Sequence, residues 1–333
     1  MRGGDDVRVT TDLRTRAAAR LSPRGNPDLT TAAAALVTVV LWASAFIAIR
    51  DAGSALSPAP MALLRLAVAA VALTVLVGFR GHVLRHIPRS KRALLLVAAY
   101  AVLWLAGYTV ALNAGERHVD AGTAALLVNL APLLVAFGAA ALLDERLSAM
   151  LVTGALVSLG GVAIIAFSSG GHRDGLGVLL CLIAAVLYAA GVLVQKPAMA
   201  YVDPLTAIWL GCVIATVVLL PWTPQLVTEL AAAPGRVAFD GIYLGLFPTA
   251  IGFTTWSYAL RRTDAGRLTA STYAVPAISI LLSWLLLGEI PTAWGLLGGT
   301  LCLIGVAISR RTRRPKTTEP ATPAPADTPD HIS

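Results

Sequence analysis

The sequence predicts an all-α integral membrane protein with ten transmembrane helices, arranged as two inverted repeats of five helices, with both termini in the cytoplasm. Three observations lead to this prediction. The chain is strongly apolar, its charges lie in short segments between long uncharged runs, and its second half repeats its first.

The composition excludes an ordinary soluble domain. Of the 333 residues, 57% are hydrophobic and only 13% are charged, whereas roughly a quarter of the residues of a soluble domain are charged. Mean hydropathy is +0.75. A run of about 18 or more apolar residues is long enough to cross a bilayer as a helix, so the chain is predicted to cross the membrane many times.

Ten such runs lie between the charged segments. No apolar core with a cleavage site closely follows the first basic residues, so we expect residues 1–30 to form a disordered cytoplasmic arm rather than a signal peptide. The Pro-, Thr- and Ala-rich residues 310–333 are expected to form a second disordered tail. The predicted spans are 31–49, 58–79, 93–114, 121–143, 147–168, 175–194, 204–223, 241–260, 268–287 and 292–309.

The positive residues predict the orientation. With the N-terminus in the cytoplasm, the inner segments hold 21 of the 26 Lys and Arg residues and the outer loops hold four, while Arg65 lies inside the second span. Lys and Arg are retained on the cytoplasmic side, so both termini are predicted there. The net charge of +8 comes mainly from these cytoplasmic tails and loops, so it does not indicate a nucleic-acid partner.

Residues 120–164 align without a gap on residues 264–308, and 14 of these 45 positions are identical at a constant offset of 144. An offset of 146 likewise relates Arg50 to Lys196. The repeats, 31–168 and 175–309, each hold an odd number of spans, so the second enters the membrane inverted. Inverted repeats are typical of secondary transporters. The aligned identities include Asp120-Ala121-Gly122 with Asp264-Ala265-Gly266, Pro132 with Pro276, and Glu145 with Glu289.

Several short motifs occur in a characteristic order. They are Trp42-Ala43-Ser44-Ala45-Phe46, Leu64-Arg65, Ala131-Pro132-Leu133, Glu145-Arg146-Leu147-Ser148, and Gly154 with Gly161-Val162. Their order, their doubling and the ten spans resemble the EamA family of the drug/metabolite transporter superfamily over residues 31–309. The resemblance implies a carrier of the bacterial cytoplasmic membrane that moves small solutes. It also implies a central cavity surrounded by the first four helices of each half.

Arg65 is the one ionisable residue inside a predicted span. A charge within the bilayer is costly and therefore a functional candidate. Arg65 lies about 10 Å from the start of its helix, where it is either a fixed cation for a substrate carboxylate or phosphate, or a structural residue that reaches the interface. No Asp or Glu lies deep in a span, which argues against proton antiport through a buried acid and against lipophilic cations as substrates.

Aromatic and polar residues inside the spans are the other binding candidates. Tyr100, Trp104 and Tyr108 share one face of the third span, but Tyr108 is close to the span end, where Tyr commonly anchors a helix at the interface. Such a lining suits a small amphipathic solute, uncharged or zwitterionic. The predicted substrate-binding residues are Trp42, Ser44, Arg65, Tyr100, Trp104, Asn129, Tyr188, Trp256 and Tyr273.

Pro132 and Pro276 occupy equivalent mid-span positions. Proline removes a backbone hydrogen bond and kinks a helix, and paired interruptions in corresponding helices point to a carrier's binding site. We predict that both act as hinges, and the alternative is a purely structural bend.

The sequence therefore predicts a secondary transporter that moves a small metabolite or amino acid by alternating access, with export expected, as a monomer or homodimer. No ATP-binding glycine loop, catalytic residue, cofactor or metal is predicted. An intramembrane enzyme acting on a lipid-type substrate is an alternative, but the five His residues all lie in predicted loops or tails. A non-transporting membrane scaffold is the third class.

Overall fold

A computed structural model describes residues 29–53, 55–79, 87–118, 124, 127–142, 148–168, 175–287 and 293–310. Every regular element in these ranges is helical. The predicted tails lie almost entirely outside them, as do the start of the predicted fourth span and the paired acids Glu145 and Glu289.

We number the helical elements α1 to α10 in chain order and count α, π and 3-10 pieces that follow one another directly as one element. They are α1 (Leu29–Gly53), α2 (Pro58–Phe79), α3 (Lys91–Gly115), α4 (Ala131–Leu142), α5 (Ala149–Ser168), α6 (Gly175–Ala198), α7 (Pro204–Ala232), α8 (Gly235–Arg262), α9 (265–287) and α10 (Ala293–Arg310).

Six of these elements are long and apolar enough to cross a membrane, namely α1, α2, α3, α6, α7 and α8. Shorter apolar helices occur in α4, α5 and α10. An apolar 18-residue window is about the length that a bilayer core requires. The described part of the chain is thus an all-helical membrane protein, as the composition predicts.

Several elements contain charged residues that the sequence places in loops, and α6 and α8 are two of them. The predicted sixth span stops at residue 194, whereas α6 continues to Ala198 and buries Lys196 at 5% exposure. The predicted eighth span starts at residue 241, whereas α8 starts at Gly235 and contains Asp240. Arg65 is therefore not the only ionisable residue inside a long helix, because hydrogen bonds allow Lys196 to be buried.

Helix packing interleaves the two halves of the chain. Helix α1 packs on α8 and α9, and α6 packs on α3 and α4. Large contacts also join α2 to α7 and to α8, α3 to α7, and α5 to α10. Exchanging each helix with the one five positions later leaves this set of contacts unchanged.

Helices α5 and α10 cross at closely opposed glycines. A Cβ on Gly154 would lie 2.5 Å from the carbonyl oxygen of Gly305, and a Cβ on Gly305 would lie 2.5 Å from that of Gly154. Small residues let helix backbones approach this closely within a membrane. The pair lies beside the helices that enclose the centre of the bundle.

Two helices contain a π-helical segment, Ala101–Tyr108 in α3 and Gly245–Ile251 in α8. Their first residues are 144 positions apart, which is the offset of the sequence repeat. A π-helical turn accommodates one more residue than an α-helical turn and is frequently found at functional sites.

The prolines predicted to kink continuous helices lie instead at helix starts. Pro132 is the second residue of α4, which follows a turn at 129–130, and Pro276 is the second residue of Val275–Leu287, which follows the 3-10 segment Ala270–Ala274. The prolyl nitrogen needs no helical acceptor in the first turn. A regular α-helix begins next to each proline, and the role of both as hinges stays a prediction.

Candidate functional site

An open cavity lies at the centre of the bundle, with an empty volume of about 610 Å³ including its mouth. Residues from α1, α2, α3, α6, α8 and α9 and from the turn before α4 surround it. They are Trp42, Ala45, Phe46, Ile49, Arg65, Trp104, Tyr108, Leu112, Val128, Asn129, Tyr188, Phe253, Thr272 and Val275.

Aromatic rings form one wall of this cavity. Trp104 and Tyr188 stack with their ring centroids 4.7 Å apart and their planes at 18°. Phe253 contacts both Trp42 at 5.1 Å and Trp104 at 5.0 Å. Aromatic pairs at these separations are favourable beyond the area that they bury, so the wall is a rigid, largely apolar surface.

Gly191 of α6 allows the stacked pair to form. A Cβ at this position would lie 2.5 Å from Cβ of Trp104, closer than any real Cβ contact. The missing side chain brings α6 against the π-helical segment of α3, and Trp104 thereby reaches Tyr188. A single glycine thus sets the spacing between two helices that line the cavity.

The π-helical segment of α8 holds two cavity residues through hydrogen bonds. Nε1 of Trp42 donates to the carbonyl oxygen of Pro248 at 3.2 Å. Nε of Arg65 donates to the hydroxyl oxygen of Thr249 at 2.5 Å. The one segment therefore orients both the largest aromatic ring of α1 and the only charged side chain among the described cavity-lining residues.

The other end of the bundle is closed by polar contacts between α6 and α8. Gln195 accepts a hydrogen bond from Nε1 of Trp256 at 3.1 Å and donates to Ser257 at 2.9 Å. One residue further along, Lys196 donates from Nζ to the carbonyl oxygens of Leu260 and Thr263. These side chains are all buried.

Five of the nine predicted binding residues border the cavity. Arg65 is 8% exposed and Asn129 is 6% exposed, so the two polar members are almost fully enclosed. The five are Trp42, Arg65, Trp104, Asn129 and Tyr188.

The other four do not border the cavity. Tyr100 and Trp256 are completely buried behind Trp104. The hydroxyl of Ser44 lies 2.6 Å from that of Tyr243, on another side of α1. Tyr273 is fully buried in an apolar cluster that adjoins the cavity at Val275. Burial in a bundle does not distinguish the wall of a cavity from the layer behind it, and a role of these four residues in substrate binding stays a prediction.

Three functional candidates were discounted or missed in the sequence. Tyr108 borders the cavity instead of anchoring α3 at the interface, and its ring contacts Tyr188 at 5.7 Å. Phe253 and Thr272 have no local motif. The repeat does carry a signal for Thr272, since it aligns at offset 144 with Val128 and both residues border the cavity.

Long apolar helices around an aromatic cavity with one buried cation define a polytopic membrane protein with an internal site for a small molecule. The model of the EamA-like transporter family matches residues 29–167 and again residues 175–311. The chain belongs to this family. The resemblance seen in the sequence motifs is thereby confirmed, and the chain is a multi-pass transporter of the cell membrane with a small-molecule substrate.

Two relatives and one solved structure extend this result. The chain is 39% identical to a probable terminal-alkyne amino-acid exporter of Streptantibioticus cattleyicolor, over 87% of this chain and 96% of that protein. It is 24% identical to a probable amino-acid metabolite efflux pump of Escherichia coli, over 83% and 93% of the two chains. A solved crystal structure with 21% identity shares the fold with a TM-score of 0.69, over 84% of this chain and 96% of the other.

Proposed function

We propose that the protein is a secondary transporter that exports a small amphipathic metabolite of the amino-acid class by alternating access. The observation that carries this proposal is the cavity, whose walls come from both family matches and include six aromatic rings. Such walls suit a small solute with an apolar portion. The printed names of two relatives, an amino-acid exporter and an amino-acid metabolite efflux pump, support the same substrate class.

The proposed topology has ten spans in two inverted repeats, 31–168 and 175–309, with both termini and both tails in the cytoplasm. The 21 to 4 distribution of Lys and Arg supports this orientation. Two features support the repeat, namely the exchange symmetry of the helix contacts and the π-helical segments 144 residues apart. A single protomer supplies every described wall of the cavity, and a monomer or a homodimer is compatible with this arrangement.

In this orientation the structure corresponds to an outward-facing state. Ile49 lies near the outer end of α1, Leu112 lies near the outer end of α3, and Arg65 lies in the outer half of α2. The contacts that close the bundle, made by Lys196 and Gln195, lie at the cytoplasmic ends of α6 and α8. Transport requires these contacts to open while the outer ends close.

Substrate exchange in reconstituted vesicles tests the proposal. Proteoliposomes are loaded with each of a panel of unlabelled amino acids and related metabolites, and uptake of the labelled compound is followed. We expect at least one compound to exchange, and Trp42→Ala to reduce its exchange about tenfold or more. Trp222→Ala is the matched control, because Trp222 is 40% exposed and does not border the cavity.

Two results would contradict the proposal. If no compound exchanges through folded, reconstituted protein, the result favours a non-transporting membrane scaffold. If a compound is chemically converted instead of being moved, the result favours an intramembrane enzyme. Repeating the positive exchange with and without a proton gradient separates coupled transport from facilitated exchange.

A further inference from the structure

We propose that Arg65 is the carboxylate-binding group of the cavity and that Thr249 is the positioning residue that orients it, so that the transporter requires a carboxylate on its substrate. This inference rests on the proposed function, since it treats the cavity as the transport site. The inference narrows the proposed substrate class to compounds that carry a carboxylate.

Arg65 is buried without a direct ion-pair partner among the described residues. The side chain is 8% exposed, and a buried guanidinium is stable only with compensating partners. Its one hydrogen bond in the described part of the chain runs from Nε to Thr249. Glu116 attracts Arg65 electrostatically, but no described carboxylate forms an ion pair with it. Arg65 makes no hydrogen bond to a helix-end carbonyl there, which disfavours the structural role considered from the sequence.

Most of the hydrogen-bond donors of Arg65 remain available. A guanidinium has five N–H donors in a planar fork, and Thr249 uses the one on Nε. The four donors on the two terminal nitrogens are left for the cavity that Arg65 borders. Two parallel N–H donors match the two oxygens of a carboxylate, and such bidentate pairs are among the strongest hydrogen-bonded contacts in proteins.

Thr249 acts as an acceptor because its own hydroxyl proton is already used. Its hydroxyl donates to the carbonyl oxygen of Leu244 at 2.8 Å, five residues earlier, at the start of the π-helical segment. The proton of the hydroxyl is therefore committed, and a lone pair of its oxygen is directed to Nε of Arg65. The π-helical turn thus fixes the direction in which the fork of the guanidinium lies.

Close packing of α2 on α8 maintains this arrangement. A Cβ at Gly245 would lie 2.7 Å from the carbonyl oxygen of Arg65 and 2.6 Å from Cβ of Val68. The backbone of Arg65 is thereby held against the first residue of the π-helical segment. Both the backbone and the Nε atom of Arg65 are fixed by the same seven-residue segment.

The charge of Arg65 makes the cavity selective for the charge of the solute. Arg65 is the only formal charge among the described lining residues, so a cationic solute meets repulsion and a neutral solute leaves the guanidinium unpaired. A carboxylate neutralises it. The remainder of the solute lies against the aromatic wall, where an apolar group packs and an ammonium group interacts with ring faces.

The test compares each transported compound with its carboxamide. For every carboxylate that exchanges through the unmodified protein, exchange of the matching carboxamide is measured in the same proteoliposomes; L-phenylalanine with L-phenylalaninamide, and 3-phenylpropionate with 3-phenylpropionamide, are the first pairs. We expect the carboxylate to be favoured about tenfold or more. Arg65→Gln is expected to abolish this preference, and Arg65→Lys to retain part of it, because the ammonium keeps the charge but not the fork.

Thr249 is tested by a pair of variants. Thr249→Val removes the acceptor at constant shape and is expected to raise the KM for the carboxylate several-fold with little change in the maximal rate. Thr249→Ser restores the hydroxyl and is expected to return the KM to its original value. A residue with only a packing role would give the opposite order, since Val fills the site better than Ser.

The outcomes separate this inference from the proposed function. If no compound is exchanged, both fail. If compounds are exchanged but carboxamides move as well as carboxylates, the proposed function stands and the carboxylate requirement is wrong. If Arg65→Gln keeps the preference for carboxylates, Arg65 is not the binding group. Thermal unfolding of each variant in detergent shows that the comparison is made between folded proteins.

Discussion

The Nζ atom of Lys196 donates a hydrogen bond of 2.8 Å to the carbonyl oxygen of Leu260. The same atom bonds to the carbonyl oxygen of Thr263, one residue beyond the end of α8. The last carbonyls of a helix lack intrahelical partners and attract positive charge. A lysine at the end of one helix thereby caps a second helix and joins the two at the closed end of the bundle.

Breaking this contact is expected to favour opening of the closed end of the bundle, which in the proposed topology faces the cytoplasm. Lys196→Met keeps the length of the side chain but removes hydrogen bonds to a charged donor, each of which contributes about 1.5–3 kcal/mol. In inverted membrane vesicles, we expect Ser257→Cys to react with a membrane-impermeant maleimide about tenfold faster when Lys196→Met is present. Ser257 is fully buried in the unmodified structure, so the labelling rate reports opening.

Lys91→Met is the matched control for this measurement. Lys91 is an exposed residue at the start of α3, on the same predicted side of the membrane. Equal labelling rates with Lys196→Met and Lys91→Met would show that the lysine contact does not hold the closed state.

A methyl group at Gly191 is expected to displace Trp104 and disturb the aromatic wall. The new Cβ would meet Cβ of Trp104, and overpacking of this kind typically costs about 1–3 kcal/mol. Gly191→Ala should therefore lower the unfolding temperature in detergent and reduce substrate exchange. Scanning calorimetry and vesicle exchange measure the two effects.

Gly160→Ala provides the comparison, because nothing lies within 4 Å of the Cβ that it would add. In a helix this substitution is expected to be neutral or to stabilise by about 0.5–1 kcal/mol. If both variants behaved alike, the close approach of α6 to Trp104 would not be what sets the geometry of the wall.

Substitution at the α5–α10 crossing is expected to change stability without changing substrate preference. Gly305→Val places two methyl groups where a single Cβ would already lie 2.5 Å from the carbonyl oxygen of Gly154. No described lining residue of the cavity belongs to α5 or α10. We expect a lower unfolding temperature and an unchanged KM for any exchanged compound. A shift in KM would place this helix pair among the elements that shape the site.

The sequence predicts the helices and half of the site because both depend on local patterns. Apolar runs define the spans, and α2 begins and ends at the predicted residues. Trp42 and Ser44 belong to one motif, but a helix turns by about 100° per residue, so residues two apart lie on different sides. Ser44 accordingly contacts Tyr243 while Trp42 borders the cavity. The sequence does not show how each helix is rotated about its axis relative to its neighbours, and this rotation decides which residues face the cavity.

Contacts between distant segments could not be predicted in the same way. Thr249 lies in an apolar run and belongs to no sequence motif. Its role depends on a π-helical turn that packing of α8 on α2 maintains. Lys196 is predicted outside a span because a lone charge is costly in lipid. Its cost is offset by carbonyls more than sixty residues away in the chain. Both features require the tertiary structure.

The aromatic wall also gives the protein an optical reporter of its own. The protein has seven tryptophans, and three of them are in mutual ring contact beside the cavity, namely Trp42, Trp104 and Trp256. Indole emission responds to the polarity and the quenching groups around the ring, and two of these rings form the surface that a bound solute would touch. Intrinsic fluorescence therefore offers a label-free titration of the unmodified transporter, and Trp222→Ala or another distant replacement lowers the background without altering the site.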